Sequence, residues 1–214
     1  MKRLYIVIYL NLLCILAPCH IFAQKIRVEG FVGNTSSVVD VFWLKPFVKE
    51  SPFLYLSRNT YRIPNLDSAQ GNFSTLHIGA YQFGKTGLGL ALAATATTNS
   101  AMQARAGIQF LKAKPQKWLF YTIFSTKLGS DSDARWLAIG QITPRLRKNL
   151  DAFVRGEWIT SIGFGDSHRF SANILRVGLQ WKQWQFGPGT DLIWTGSRFE
   201  QQSSNYGFFL THLF

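Results

Sequence analysis

Residues 101–111 read AMQARAGIQFL, and their side chains alternate in character. Met102, Ala104, Ala106, Ile108 and Phe110 share one face of an extended chain, while Gln103, Arg105, Gly107 and Gln109 share the other. A two-residue period sustained over this length predicts a strand with one apolar and one more polar side. Residues 150–160 repeat the pattern. There Leu150, Ala152, Val154 and Trp158 oppose Asp151, Arg155 and Glu157, three charges that would neutralise one another inside a narrow closed sheet.

The same period marks ten segments, at about 53–62, 73–83, 86–97, 101–111, 117–127, 134–143, 150–160, 169–181, 183–195 and 205–214. A tilted strand needs roughly 9–11 residues to cross a bilayer, which is close to their length. The fifth is apolar on both faces. The ninth contains Gly187-Pro188-Gly189, which predicts a bulge or a strained edge. Beyond residue 24 no apolar run approaches the roughly 20 residues of a membrane helix. Backbone groups facing hydrocarbon must all be paired, and among sheets only a closed one achieves that. The expected fold is therefore all-β, a closed antiparallel up-and-down transmembrane barrel of about ten strands, with eight or twelve as alternatives. Gln103, Arg105, Gln109, Asp151, Arg155, Glu157 and Arg176 are expected to line its interior. The competing fold is a soluble lipocalin-type barrel with its apolar residues inside, which would need a polar exterior.

Composition agrees with one domain. The chain has 214 residues, of which 16% are charged and 15% aromatic, with a formal net charge of +12. Such a charge raises nucleic acid as a partner, but the cations are dispersed rather than clustered, so none is expected. Both cysteines, Cys14 and Cys19, lie near the start. They fall in a segment that reads as an export signal: Lys2 and Arg3, an apolar stretch from Leu4 to Ala17, and Ile21-Phe22-Ala23 before Gln24. Cleavage after Ala23 would leave a mature chain without cysteine. Lipidation at Cys19 is the alternative, since Leu16-Ala17-Pro18-Cys19 resembles a lipoprotein signal. The expected organisation is a signal peptide at 1–23, an N-terminal extension or extra hairpin at 24–52, and the barrel at 53–214. The hairpin would join Ile26–Val32 to Val38–Leu44 through residues 34–37; the extension is favoured.

Turn composition tests the barrel independently. With both termini on the periplasmic side, the periplasmic turns carry Lys85, Lys112, Lys114, Arg145, Arg147, Lys148 and Lys182 and no acid. The opposite loops are longer and carry Asp67, Asp131, Asp133, Asp166 and Glu200. Trp118, Trp181 and Trp184 fall at the periplasmic ends of segments, and Trp136, Trp158 and Trp194 at the other ends, as expected of two aromatic girdles.

The last segment places Tyr206, Phe208, Leu210, His212 and the terminal Phe214 on one face. This resembles the carboxyl-terminal signature of Gram-negative outer-membrane β-barrel proteins, with His212 where an apolar residue is usual. The resemblance implies assembly by the barrel-assembly machinery, through Tyr206, Phe208, Leu210 and Phe214. It also implies an outer-membrane location, with lipid and lipopolysaccharide as the surroundings.

Chemistry is sparser. Asp131-Ser132-Asp133 and Asp166-Ser167-His168 resemble the Asp-x-Asp and Asp-x-His pairs of the omptins, outer-membrane proteases that activate water between such pairs. That resemblance implies a water held by Asp131 and Asp133, and His168 as general base oriented by Asp166. The plainer reading is a set of solvated turns. His168 and Ser171 also stand near one another, which makes a lipid-modifying enzyme conceivable. No metal-ligand spacing and no glycine-rich phosphate loop are present, so no metal or cofactor is expected. Around ten strands leave room for a narrow or occluded pore only, since open channels need roughly 16. The favoured role is a non-enzymatic outer-membrane barrel with a structural, envelope-interaction or narrow-pore function. Arg105, Arg155 and Arg176 would bias any such pore toward anions. The alternative is a surface hydrolase.

Overall fold

The computed structural model describes residues 26–46, 51–65, 71–114, 117–129, 132–164 and 167–214. Their strands form one antiparallel sheet of thirteen. The strands are β1 Arg27–Gly33, β2 Ser36–Pro46, β3 Phe53–Pro64, β4 Asn72–Gln82, β5 Leu88–Thr97, β6 Ser100–Lys114 and β7 Trp118–Lys127. They continue as β8 Asp133–Ile142, β9 Arg145–Arg147, β10 Leu150–Gly163, β11 Ser167–Trp181, β12 Trp184–Thr195 and β13 Gln201–Leu213. Strand β9 is a three-residue piece paired only with the start of β10. The other twelve form a ring that closes where β1 pairs β13, from Arg27↔Leu213 to Gly33↔Gly207. Beyond that ladder the Phe214 amide donates to the Ile26 carbonyl at 3.0 Å. Closure removes the unpaired edges that an open sheet would expose.

The barrel therefore has twelve long strands rather than ten, and residues 27–46 form its first hairpin rather than an extension. The reason is visible in β2. Its inward residues Ser36, Val38, Asp40, Phe42 and Leu44 mix polar with apolar, and its outward Val39, Val41 and Trp43 are apolar too. Both faces look alike, so the period of two is hidden. The ten expected segments coincide, within a few residues, with β3–β8 and β10–β13.

Two irregularities differ from expectation. At Gly187-Pro188-Gly189 the register does not shift: Arg176↔Gly189 and Leu179↔Phe186 keep one alignment, and pairing lapses only between them, where Pro188 lacks an N–H. A Cβ on either Gly178 or Gly187 would strike the other strand's backbone there. A bulge is found instead between β10 and β11. Ser161 pairs with Phe170 but Ile162 pairs with His168, leaving Arg169 as the extra residue.

The outward surface is apolar. Leu88, Leu90, Leu92, Met102, Ile108, Phe124, Phe208 and Leu210 are all exposed on it. A contiguous band of this kind would drive association in water, which excludes the lipocalin-type alternative. Trp118, Trp181 and Trp184 stand on this surface toward the end that holds the termini, and Trp136, Trp158 and Trp194 toward the other. Tyr206, Phe208, Leu210 and Phe214 also face outward. His212 lies edge-on between Trp184 at 4.4 Å and Phe214 at 4.3 Å, so it packs as an aromatic ring among aromatic rings. One polar line crosses the outward face of β3 and β4: Tyr55 to His77 at 2.7 Å, His77 to Thr75 at 2.9 Å, and Thr75 to Asn59 at 2.8 Å. Internal hydrogen bonding lets these groups face away from water.

The interior departs from a wholly polar lumen. Toward the termini it is filled by Phe42, Leu44, Leu54, Leu56, Ala80, Ala91, Tyr121 and Ile139, topped by Ile78, Ala93, Ile123 and Leu137. Beside this layer Arg27, Arg58, Arg62, Arg155 and Arg176 interlock with Glu29, Asp40, Glu157 and Asp191. Arg155 and Arg176 are directly opposite on adjacent strands, a repulsive pairing. They turn apart. Arg176 reaches Glu29 and Asp191, each at 2.8 Å, while Arg155 reaches Glu157 at 2.7 Å and lies over the Phe42 ring.

Removing one partner from a buried network strands the rest. Glu157→Gln, which leaves Arg58 and Arg155 without a shared carboxylate, is expected to destabilise the barrel by about 3–5 kcal/mol. Arg155→Met, which keeps volume and relieves the excess of cations, is expected to cost under about 1.5 kcal/mol. Urea midpoints, read from the mobility difference between unheated and boiled gel samples, distinguish the two.

Candidate functional site

The half of the lumen away from the termini is open. A cavity of about 550 Å³ lies there, and Asn72, Thr97, Asn99 and Ser100 line it beside the β5–β6 turn. Its floor is the upper row of the apolar layer, Ile78, Ala93, Ile123 and Leu137. One wall is apolar, built by Ile159, Phe170, Ala172, Ile174 and Ile193 from β10, β11 and β12. The other carries Arg58, Arg62, Arg105 and Arg135.

These arginines are not equivalent. Arg58 is consumed by Asp40 at 2.8 Å and by Glu157, and Arg62 by Asp191 at 2.7 Å and the Ser36 hydroxyl at 2.7 Å. Among the described residues, Arg105 and Arg135 share a single nearby acid, Asp133. The Arg105 Nη2 lies 2.6 Å from Asp133 Oδ1, and the Ser161 hydroxyl donates to Asp133 Oδ2 at 2.9 Å. Arg105 Nε donates to the Ser125 hydroxyl at 3.2 Å. That leaves Arg105 Nη1 and Arg135 Nε buried without a hydrogen-bond partner among the described residues. Two guanidiniums against one carboxylate leave one positive charge in excess at the cavity wall.

The interior residues picked out by alternation point inward but do different work. Gln103 lines the cavity and Arg105 anchors it. Gln109 is buried within the apolar half, with no partner for its amide among the described residues. Arg155, Glu157 and Arg176 belong to the ion network. Asp151 does not join the neutralisation expected of it: its contact is Arg145, 3.8 Å away at the rim. Arg27, Glu29, Asp40, Arg58, Arg62, Arg135 and Asp191 were missed. Arg58, Thr60 and Arg62 alternate with Asn59, Tyr61 and Ile63, so the signal was present in β3.

The protease arrangement is not supported. Asp131 and Asp166 lie outside the described residues, as do Asp67 and the whole of 1–25 with its cysteines. Asp133 is not in a loop but at the start of β8, turned inward onto Arg105. His168 is on the outward face of β11, bonded through Nδ1 to the Gly196 carbonyl at 2.8 Å and through Nε2 to the Ser171 hydroxyl at 2.9 Å. The barrel wall stands between Asp133 and His168. No group of three or more His, Cys, Asp or Glu side chains suited to a metal occurs among the described residues.

The fold and this cavity define a closed antiparallel β-barrel with an apolar exterior and a partly open lumen. No known protein family and no curated protein matches the chain. Among solved structures, the NanC porin aligns with 90% of this chain and all of its own, at a TM-score of 0.53 and 7% identity. A structure from work on the in-meso crystallization of membrane proteins aligns with 89% of this chain and 84% of its own, at a TM-score of 0.44 and 10% identity. At such identity the likeness is one of fold.

Asp133→Asn removes the one counter-charge that Arg105 and Arg135 share among the described residues. It is expected to lower stability by about 3 kcal/mol, and added sulfate is expected to recover most of that loss in urea titrations. Chloride at equal ionic strength should recover less, because sulfate accepts several guanidinium hydrogen bonds at once.

Proposed function

We propose that this chain is an exported outer-membrane barrel whose lumen is a receptor cavity open to the cell exterior, biased toward small amphiphilic anions and sealed toward the periplasm. The observation that carries this reading is the Arg105–Arg135 pair, two guanidiniums against the one carboxylate of Asp133 among the described residues, set opposite an aliphatic wall across a cavity of about 550 Å³. That volume lies within the roughly 300–1,000 Å³ of ligand pockets. A carboxylate or phosphate would pair with Arg135, the partly exposed guanidinium of the two, and an apolar body would lie against Ile159, Phe170, Ile174 and Ile193. Charge-assisted hydrogen bonds in a place that water reaches poorly are the strong kind.

The export signal at 1–23, the terminal Phe214 signature and the basic turns at the terminal end support an outer-membrane placement with the termini in the periplasm. Lys85, Lys112, Lys114, Arg145, Arg147, Lys148 and Lys182 would then face inward to the cell, and the cavity outward. The porin likeness favours a second reading, in which the apolar layer is a gate and the cavity the entrance of a narrow anion-biased pore.

Calorimetry on the protein in nanodiscs tests the first reading. A medium-chain alkyl carboxylate is expected to bind, and Arg135→Gln to weaken it about tenfold or more, the range for losing a charged hydrogen bond. The matching alcohol should bind weakly and be indifferent to the substitution. Planar-bilayer recordings separate the two readings: the sealed barrel should show no steady conductance, and a steady wild-type current would favour the gated pore. Tyr121→Ala, which removes a fully buried ring from the apolar layer, is expected to introduce conductance in either case.

A further inference from the structure

The bulge between β10 and β11 has an effect on the outer surface of the barrel. Residues three apart in a regular strand point to opposite faces. The extra residue Arg169 changes that, so His168 and Ser171 both face outward, with Thr160 of β10 beside them. Bulges of this sort re-aim side chains.

The hydrogen bonds fix the direction of the protons. The Gly196 carbonyl only accepts, so His168 Nδ1, 2.8 Å away, carries the ring hydrogen. His168 Nε2 then holds a lone pair and accepts from the Ser171 hydroxyl at 2.9 Å. Because that hydroxyl has one hydrogen, the bond of 2.8 Å between Thr160 and Ser171 must run from the Thr160 hydroxyl to Ser171 Oγ. The result is a polarised chain from Thr160 through Ser171 to His168 to Gly196. A base in the right tautomer, oriented from behind and accepting the nucleophile's proton, is the arrangement by which a serine is activated.

Its position selects the substrate. Ser171 is paired with Trp194 on one side and Thr160 on the other, two residues beyond Trp158. Ile162 on the same strand and Phe164 just past its end lie exposed toward the outer rim. Tryptophans collect where hydrocarbon meets polar headgroups, which is also where ester-linked acyl chains begin. The Phe199 ring stacks on the His168 ring with centroids 3.7 Å apart, and Ser171 is only 6% exposed. Phe199 sits at φ 60, a left-handed conformation seldom held by such residues, in the turn that follows Gly196 at φ 91. Within that turn, the backbone amides of Arg198 and Glu200 hold the Glu200 carboxyl below its usual range.

Resting on the membrane placement above, but on a different site from the cavity, we propose that Ser171 and His168 form an acyl-ester hydrolase site on the lipid-facing wall, covered by Phe199. Ser171 Oγ attacks the ester carbonyl carbon as its proton passes to His168 Nε2. The adduct collapses, the C–O bond breaks, and the leaving alcohol takes that proton. Water, deprotonated by Nε2, then cleaves the acyl-serine, releasing a fatty acid and restoring the hydroxyl. The substrate class is an ester-linked acyl amphiphile of the outer leaflet, phospholipid or lipopolysaccharide.

The test uses the full mature protein, folded in vesicles, with a long-chain alkyl fluorophosphonate as probe and mass mapping of the adduct. Retained heat-shifted mobility certifies the folded barrel in each variant, so a failure of the membrane reading appears separately. The expected result is an adduct on Ser171 that is absent in Ser171→Ala, at least about 100-fold slower in His168→Ala, the loss typical of a general base, and faster in Phe199→Ala. Fatty acid release from phosphatidylethanolamine vesicles, or from vesicles containing lipopolysaccharide, identifies the source. The proposal is overturned if folded wild-type protein and Phe199→Ala both leave Ser171 unmodified. It is equally overturned if His168→Ala reacts at the wild-type rate, or if neither lipid yields fatty acid with either protein.

Discussion

Everything in this molecule depends on the seam between β1 and β13. A sheet that stands in hydrocarbon cannot leave backbone donors and acceptors unpaired, and only that seam turns a curved sheet into a ring. The seam is short, because β1 has seven residues, yet its inward side chains are Arg27, Glu29 and Phe31. Arg27 and Glu29 reach the β2, β10, β11 and β13 side chains across the lumen. The first strand is thus held by its edges and by the ion network it helps to build. Charge in the interior is inseparable from closure of the wall.

That coupling explains which parts of the fold were legible in the sequence. A strand announces itself when its faces differ. β6 does so, with Met102, Ala104 and Ala106 against Gln103 and Arg105, and β10 does so as well. β1 and β2 do not, because inward positions alternate Glu29 with Phe31 and Asp40 with Phe42, and a lumen that mixes ion pairs with aromatic rings resembles the outside. The apolar layer around Tyr121 and Ile139 had the same effect on β7. Interior arginines at Arg58, Arg62 and Arg135 were readable by alternation. Their pairing was not, since ion partners up to 129 residues apart have no local signature.

The Ser171 site was legible only in its residue types. An inserted residue in a strand carries no mark of its own, and Arg169 looks like any polar position; the bulge emerges from the register of β10 against β11. For the same reason the sequence spacing of Asp133 and His168 misled. Both lie near the far rim, but strand parity turned one into the lumen and the other to the lipid side.

The bond from the Phe214 amide to the Ile26 carbonyl has a consequence for connectivity. Because Ile26 and Phe214 are hydrogen-bonded neighbours across the seam, the ring has no privileged starting strand. A short linker joining 214 to 26 and a cut in any opposite loop would leave every ladder intact. Chain order here is then not a matter of which pairings the finished wall requires.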